Sequence, residues 1–170
     1  MDDPERRVDS LERQASNYGC DRESEEKQMA VVTGVEDVPG RHYQKTYING
    51  QATIGTADDW PIFEASASPV LIKRIGLIFA AAITGAATHN FALQVLNKGG
   101  AGAGSTAVTD VLTFGSGTDA VAYDAKELVL SATEANLALA KGDVLALVRT
   151  INGNGLAQPD CMVVVEYEPK

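Results

Sequence analysis

Residues that usually carry catalysis or metal binding are scarce in this sequence. Histidine occurs only at His42 and His89, and cysteine only at Cys20 and Cys161, in very different contexts. An acid–base or metal site needs such groups concentrated in one place, so the sequence predicts no enzyme, no metal site and no cofactor. The two cysteines make no disulfide framework. We expect a reducing compartment, with Cys161 buried in a strand and Cys20 as an exposed thiol.

Basic charge is also low. The 170 residues include 14 Lys and Arg against 23 Asp and Glu, which gives a formal net charge of −9. Proteins that bind nucleic acids present basic surfaces to phosphates, so neither a nucleic acid nor an anionic membrane is a predicted partner. No run of about 18 apolar residues occurs, and the charged start, MDDPERRVDSLERQ, lacks the apolar core of a signal peptide. The sequence therefore predicts neither a membrane span nor Sec export.

The longest apolar segment, Val70 to Ile83, has the pattern of a strand. Its odd positions, starting at Leu71, form the predicted core face, because successive side chains of a strand point to opposite faces. Lys73 and Arg74 would interrupt any helical apolar stripe. The even positions are apolar as well, and we expect the second half of that face to be covered. Apolar residues on both faces predict a homo-oligomer, with a trimer favoured.

A second strand is predicted after the turn at residues 84–89, with Phe91, Leu93 and Val95 on its buried face. Two successive strands without a helix between them predict neighbours in an antiparallel sheet. Asn49-Gly50 predicts a tight hairpin turn. Further strands are predicted at residues 108–114, 126–131, 143–151 and 162–167. About eight strands, with turn signals every 8 to 14 residues, predict an all-β antiparallel β-sandwich over residues 41–170.

Some local assignments accompany this prediction. For residues 134–140 a short strand is favoured over one helical turn capped by Thr133. Trp60, the only tryptophan, is expected to close one end of the core rather than to form a ligand platform. Pro61 and Pro69 are expected at sheet edges or in loops, because proline cannot donate to a sheet ladder.

Three motifs that suggest chemistry have a simpler structural interpretation. Gly99 and Gly104 have the spacing of a P-loop, but no lysine follows Gly104, which favours a flexible loop between strands. Asp58 and Asp59 could form the paired carboxylates of a glycosidase, but adjacent carboxylates usually point apart, which favours an exposed edge pair. Residues 119–124 lack the alternating acidic spacing of a calcium loop.

Residues 1–40 differ in composition and are predicted to be a charged arm and linker before the sandwich. Of the first 28 residues, 14 are Asp, Glu, Lys or Arg. Asp3-Pro4-Glu5 is typical of a helix start, and a short helix is predicted from Pro4 to Tyr18. Its narrow apolar seam consists of Val8, Leu11, Ala15 and Tyr18. Such a short helix is not stable alone, so this seam would lie on the body, pair with a copy or bind another protein; otherwise the segment is a solvated tail.

The segments VLIKRIGLIFAAAITGAATHNFALQVLNKGGAGAG, LALAKGDVLALVRTINGNG and CMVVVEYEP together resemble the jelly-roll head decoration (cement) and head-fibre proteins of tailed bacteriophages. The resemblance covers about Val70 to Pro169 and depends on the order of features rather than on one motif. It implies a jelly-roll homotrimer on the capsid exterior of a virion, made in the host cytoplasm. The implied partner is the major capsid protein.

Two functions remain open at this point. The first is a non-enzymatic cement protein that binds the outer capsid lattice and stabilises the head. The alternative is a carbohydrate- or receptor-binding β-sandwich module of a phage fibre, since the same fold carries both functions. Sugar-binding surfaces usually need exposed aromatic side chains, and an aromatic content of 6% leaves few for that purpose.

Overall fold

The computed structural model describes residues 40–51 and 57–170. Two predictions fall outside them: the helix from Pro4 to Tyr18, and the charged arm and linker up to residue 39. These remain predictions, as does the domain boundary at residue 40.

The described residues form ten strands and one short helix, arranged as two antiparallel sheets. The first sheet has the order β1-β10-β3-β7, with β8 also paired to β3, and the second has the order β2-β9-β4-β5, with β6 also paired to β4. The elements are β1 (His42–Ile48), β2 (Asp58–Glu64), β3 (Val70–Phe79), β4 (Asn90–Gly99), β5 (Thr106–Ala107), β6 (Leu112–Thr113), β7 (Ala125–Glu127), α1 (Glu134–Leu137), β8 (Ala138–Leu139), β9 (Val144–Asn152) and β10 (Cys161–Pro169).

The strands pair in a nested order. The first pairs with the last (β1 with β10), the second with the last but one (β2 with β9), β3 with β7 and β8, and β4 with β5 and β6. This is the connectivity of a jelly roll, in which one long hairpin rolls up into two packed sheets. The predicted all-β, jelly-roll-like sandwich is confirmed.

The core lies between the inner faces of the two sheets. In the second sheet the predicted buried face of β4 is confirmed, because Phe91, Leu93 and Val95 are fully buried, although Asn90 and Ala92 on its other face are buried as well. The ring of Phe114 packs against Phe91 and against Phe79 from the first sheet, with centroid distances of 4.8 and 5.7 Å. These aromatic contacts join the two sheets.

A β-bulge changes the buried face of β3 along its length. Arg74 pairs with Glu166 and Ile72 with Tyr167, so Lys73 is an extra residue in the ladder. Before the bulge the even positions are buried, and after it the odd positions are buried, starting with Ile75. The prediction of one odd core face is therefore correct only after the bulge.

This strand is also shorter than predicted, and its even face is less buried than predicted. It ends at Phe79 rather than at Ile83, which forms only an isolated bridge with Ala120. On the even face Ile78 is half-buried, whereas Ala80 and Ala82 are exposed. By the residues that the structure describes, the second half of that face is only partly covered, contrary to the expectation.

Two predicted strand neighbours are in fact in different sheets. β3 belongs to the first sheet and β4 to the second, so the turn between them crosses the sandwich. Asn49-Gly50 makes no hairpin either, because β1 pairs with β10 and the next described strand, β2, pairs with β9. A turn signal shows where a strand ends, but it does not show which sheet receives the next strand.

Two short segments differ from their predicted assignments. Within residues 108–114, where one strand is expected, the structure has only the two-residue strand β6 and an isolated bridge at Thr109, and β5 ends just before them. At residues 134–140 the helical alternative is correct for Glu134–Leu137, although Thr133 makes no side-chain cap hydrogen bond. The strand prediction holds there only for Ala138–Leu139.

Other local predictions are confirmed. Trp60 packs half-buried against the core, and Pro61 lies in β2, an edge strand of the second sheet. Cys161 is buried at the start of β10. The glycine-rich segment after Gly99 is a loop between β4 and β5.

Candidate partner-binding surface

The partner-binding residues predicted from the sequence, Val8, Leu11, Ala15 and Tyr18, lie outside the described residues. Their role stays a prediction. The described part of the chain shows two other features that were not predicted from the sequence: a patterned outer face of the first sheet and a buried arginine cluster.

The outer face of the first sheet carries an apolar row at one end. Four residues lie opposite one another across four neighbouring strands. In strand order they are Tyr47 of β1, Met162 of β10, Ile78 of β3 and Ala125 of β7. Residues directly opposite on neighbouring strands project to the same face, so these four side chains form one continuous row.

The other end of this face is charged. Arg41 forms a 2.8 Å ion pair with Glu166 and a longer one, 3.5 Å, with Glu168. Glu168 also pairs with Lys73 at 2.9 Å, and Arg74 pairs with Glu127 at 2.5 Å. A hydrogen bond from Lys73 lowers the pKa of the Glu168 carboxyl group, and the charge of Arg41 acts in the same direction. The face is thus divided into an apolar and a charged half.

A shallow groove of about 240 Å³ runs along the apolar half. Its walls are two tyrosines, Tyr47 and Tyr123, whose residues are 80% and 79% exposed. Met162, Ile78 and Asp160 also line the groove. We call this feature the tyrosine groove.

Hydrogen bonds position several of the residues that line the groove. The backbone N–H of Tyr123 donates to the Phe79 carbonyl at 2.8 Å, and the N–H of Ala80 donates to the Asp160 carbonyl at 2.8 Å. The Asp160 carboxylate accepts from the Gly50 N–H at 2.6 Å. A Cβ atom at Gly50 would lie 2.6 Å from the Asp160 nitrogen, so only glycine allows this close approach.

The thiol of Cys161, beside the groove, is kept unreactive by its burial. Cys161 is buried, and its burial raises the pKa of the thiol to about 12, while a backbone hydrogen bond involving Ile78 acts in the opposite direction. Because the thiolate is the reactive form, this cysteine behaves as a small apolar core residue.

A buried arginine cluster lies inside the sandwich. Arg149 of β9 is fully buried, with its guanidinium 4.9 Å from the centroid of the Phe91 ring. It donates to the side-chain oxygen of Gln51 and, at 2.6 Å, to the carbonyl of Leu156. Gln51 in turn donates to the Asp58 carboxylate at 2.7 Å. Burial lowers the pKa of the Arg149 guanidinium, and the negative charge of Asp58 opposes this effect.

The sequence contained a signal for this arginine that the prediction did not use. Arg149 follows Leu145 and Leu147 at a spacing of two, which places it on the buried face of β9. By contrast, neither the closeness of Tyr47 and Tyr123 nor the tyrosine groove has a local signal, because these residues come from distant parts of the chain.

The adjacent carboxylates and one of the two histidines, which were considered as possible catalytic groups, each contact a neighbouring side chain. Asp59 pairs with Lys98 at 2.8 Å, whereas Asp58 accepts from Gln51, so the two adjacent carboxylates engage different neighbours. The ring of His42 stacks on Tyr167, with centroids 5.5 Å apart. Within residues 40–51 and 57–170, no group of three or more His, Cys, Asp and Glu side chains is placed to hold a metal ion.

The comparisons with known proteins show no family for this chain. No protein-family model matches it, and no curated protein matches it. A solved structure, "Structure of infectious bursal disease virus Gx strain", superimposes with a TM-score of 0.37 and 11% sequence identity. The match covers 76% of this chain and 33% of that viral chain. A likeness this weak carries no argument about function. In the part of the chain that the structure describes, no helix is long and apolar enough to cross a membrane.

Proposed function

We propose that this protein is a non-enzymatic decoration (cement) protein of a tailed-bacteriophage virion, which binds the outer capsid lattice as a homotrimer and stabilises the head. The observation that carries the proposal is where the resembling segments lie in the fold. They form β3, β4, β9 and β10, which are the two central strands of each sheet. The resemblance and the jelly-roll connectivity thus concern the same part of the molecule.

The proposed partner is the major capsid protein rather than the packaged DNA. A net charge of −9 opposes attraction to nucleic acid, so attachment would use a locally basic or apolar surface of the capsid. Attachment should therefore persist when DNA is released from otherwise intact heads. Loss of the protein together with the DNA would contradict this proposal.

The arm supplies the proposed attachment element. Val8 and Leu11 belong to an apolar seam that is too short for a stable free coiled coil, and its charged flanks keep it soluble. A sequence of this kind is suited to ordering on a partner, either the capsid or a neighbouring subunit. Burial of each of these two side chains would contribute about 1.5–3 kcal/mol before the cost of ordering.

Co-sedimentation with purified expanded capsids tests this proposal. We expect Leu11→Asp, and deletion of residues 1–28, to weaken capsid binding, whereas Leu11→Asp leaves the melting temperature of the free protein nearly unchanged. Ser10→Asp is the matched control, because it adds the same charge beside the seam rather than in it. If the deletion variant still bound capsids with full affinity, the sandwich itself would be the binding element. If the wild-type protein did not bind at all, the proposed function would be wrong.

A further inference from the structure

Two aromatic side chains that border the tyrosine groove are mostly exposed to solvent rather than packed in the core. Tyr47 and Tyr123 are among the most exposed large side chains of the described residues, and both border the same groove. The chain has only five tyrosines, so two of them here form a marked local concentration. Exposed aromatic side chains around a concave surface are typical of ligand sites.

The backbone at Tyr123 is a second, independent observation. Its φ angle is +61°, the only positive value at a residue other than glycine in the described part of the chain. A tyrosine in this left-handed conformation costs conformational energy, and such outliers occur preferentially at functional sites. The conformation is held by the hydrogen bond from the Tyr123 N–H to the Phe79 carbonyl.

The polar groups of the groove indicate the chemistry of its ligand. Asp160 and Asn49 lie beside the aromatic walls, and Asp160 is already oriented by the Gly50 N–H. Tyrosine faces can pack against the C–H faces of a sugar ring. A carboxylate can accept hydrogen bonds from the sugar hydroxyl groups, and an amide can both accept from them and donate to them. The carboxylate and the net charge of −9 disfavour an anionic sugar.

We propose that the tyrosine groove binds a neutral oligosaccharide. This inference goes beyond the capsid attachment proposed above and does not depend on it. The groove is shallow and open, which suits a chain of sugars lying across β1, β10 and β3 rather than a fully enclosed small molecule.

A second copy of this chain fits the groove less well. The next row on the same face contains Lys45, Val164, Gly76 and Glu127, and the row beyond it contains Arg74 and Glu166. A stable interface buries about 800 Å² on each partner around an apolar centre. Here most of the apolar side chains lie in one row, Val164 and Tyr43 stand among charged neighbours, and these charges would lose their hydration in a self-association.

Titration of isotope-labelled full-length protein with chitohexaose, cellohexaose and maltohexaose, followed by NMR, tests the proposal. We expect saturable shifts around Tyr47 and Asp160 for at least one of these neutral probes at concentrations up to about 10 mM, the weak end of specific affinity. Tyr47→Ala and Tyr123→Ala should each reduce that affinity at least about tenfold, since removal of a central aromatic contact commonly has this effect. Tyr47→Phe should retain most of the binding, because the ring remains.

Tyr43→Ala is the matched control. Tyr43 projects from the same face of the same strand but does not line the groove, so its removal should leave the affinity unchanged. Unchanged melting temperatures would show that each variant is folded. Absence of saturable shifts with all three probes, or equal affinities for wild type and both alanine variants, would overturn the proposal. A lower oligomer mass for Tyr47→Ala would overturn it in favour of a second copy. Tyr47→Ala should still bind capsids, which separates this test from that of the decoration function.

Discussion

Arg149 is the largest side chain that the described part of the fold buries completely, and its charge is held by a small set of partners. The guanidinium lies over the Phe91 ring and donates to Gln51 and Leu156. A buried charge is costly without such partners, but its removal is also costly because the partners then lose their donor.

Two substitutions of Arg149 should therefore distinguish how much its packing and its hydrogen bonds each contribute to the stability of the fold. Arg149→Met keeps apolar volume over Phe91 but leaves Gln51 and Leu156 without its donors, so we expect a loss of about 1–3 kcal/mol in the free energy of unfolding. Arg149→Ala also creates a cavity and should lose about 3–5 kcal/mol. Urea denaturation measures both values. A methionine variant as stable as the wild type would show that the polar cluster does not contribute to stability.

The ion pairs of Glu168 provide a residue-scale prediction about pH. Its pKa in the folded protein lies below the ordinary value of 4.5, chiefly because Lys73 donates a hydrogen bond to it. A carboxyl group with a lowered pKa stabilises the fold above its unfolded-state pKa, and this contribution is lost as the pH falls through the folded-state pKa.

We expect wild-type stability to decrease more steeply than that of Glu168→Gln as the pH is lowered below about 4.5. Thermal unfolding across this range measures the difference, which should be small because solvent reaches both side chains, which are 33% and 32% exposed. Glu134→Gln is a suitable control, since it removes an exposed carboxylate of α1. Parallel pH profiles for the wild type and Glu168→Gln would contradict the assignment.

At the scale of elements, the loop after β9 is packed against the segment that precedes β4. Gly153 has a φ angle of +61°, and a Cβ atom there would lie 2.4 Å from the Thr88 carbonyl oxygen and 2.7 Å from His89 Nδ1. The same imidazole nitrogen accepts a hydrogen bond from the Asn154 N–H at 3.0 Å. These two loops therefore support each other.

Gly153→Ala should destabilise the protein by about 2–4 kcal/mol, because it adds a steric clash to the backbone strain of a left-handed residue. Gly117→Ala is the control: its φ angle is +80°, but a Cβ atom there meets nothing within 4 Å. It should lose only about 1 kcal/mol. Equal losses in thermal or urea unfolding would show that the contact with His89 is unimportant.

The strands also show which features of the fold can be predicted from local sequence patterns. Alternation along β4 predicted its buried face, because period two is a local property of one strand. The bulge at Lys73 was not predictable in this way, since it exists only through the register with β10. The passage of the chain from β3 in the first sheet to β4 in the second was not predictable either, because it depends on how all the strands pair in the folded molecule. The tyrosine groove could not be predicted from the sequence either, because Tyr47 and Tyr123 come together only in the folded molecule. The burial of Arg149 could have been predicted, because it follows the period-two pattern of one strand.

At the scale of the whole molecule, the proposed trimer needs a contact surface. The outer end of the Val70–Ile83 segment offers only small exposed residues, Ala80 and Ala82. Larger exposed apolar side chains are present at Val111 and Val129, and these two lie close together because the Asp110 N–H donates to the Val129 carbonyl at 2.8 Å. We expect this pair to lie in the subunit contact.

Light scattering at micromolar concentration should therefore return a trimer mass for the wild type and a lower mass for Val129→Lys. Thr150→Lys is the control, because it adds the same charge to an exposed position of β9. A monomer mass for the wild-type protein would contradict the trimer. An unchanged mass for Val129→Lys would place the contact elsewhere.

The pairing of β1 with β10 has a mechanical consequence. His42 and Tyr167 are partners, so the chain enters β1 and leaves β10 at the same end of one antiparallel ladder. Tension applied between these two points would separate the strands one residue pair after another, like a zipper, rather than shear all of their hydrogen bonds together. A subunit held by its amino-terminal side and pulled from its carboxyl end would therefore begin to open at low force, with the first sheet peeling from its edge while the second sheet is still paired.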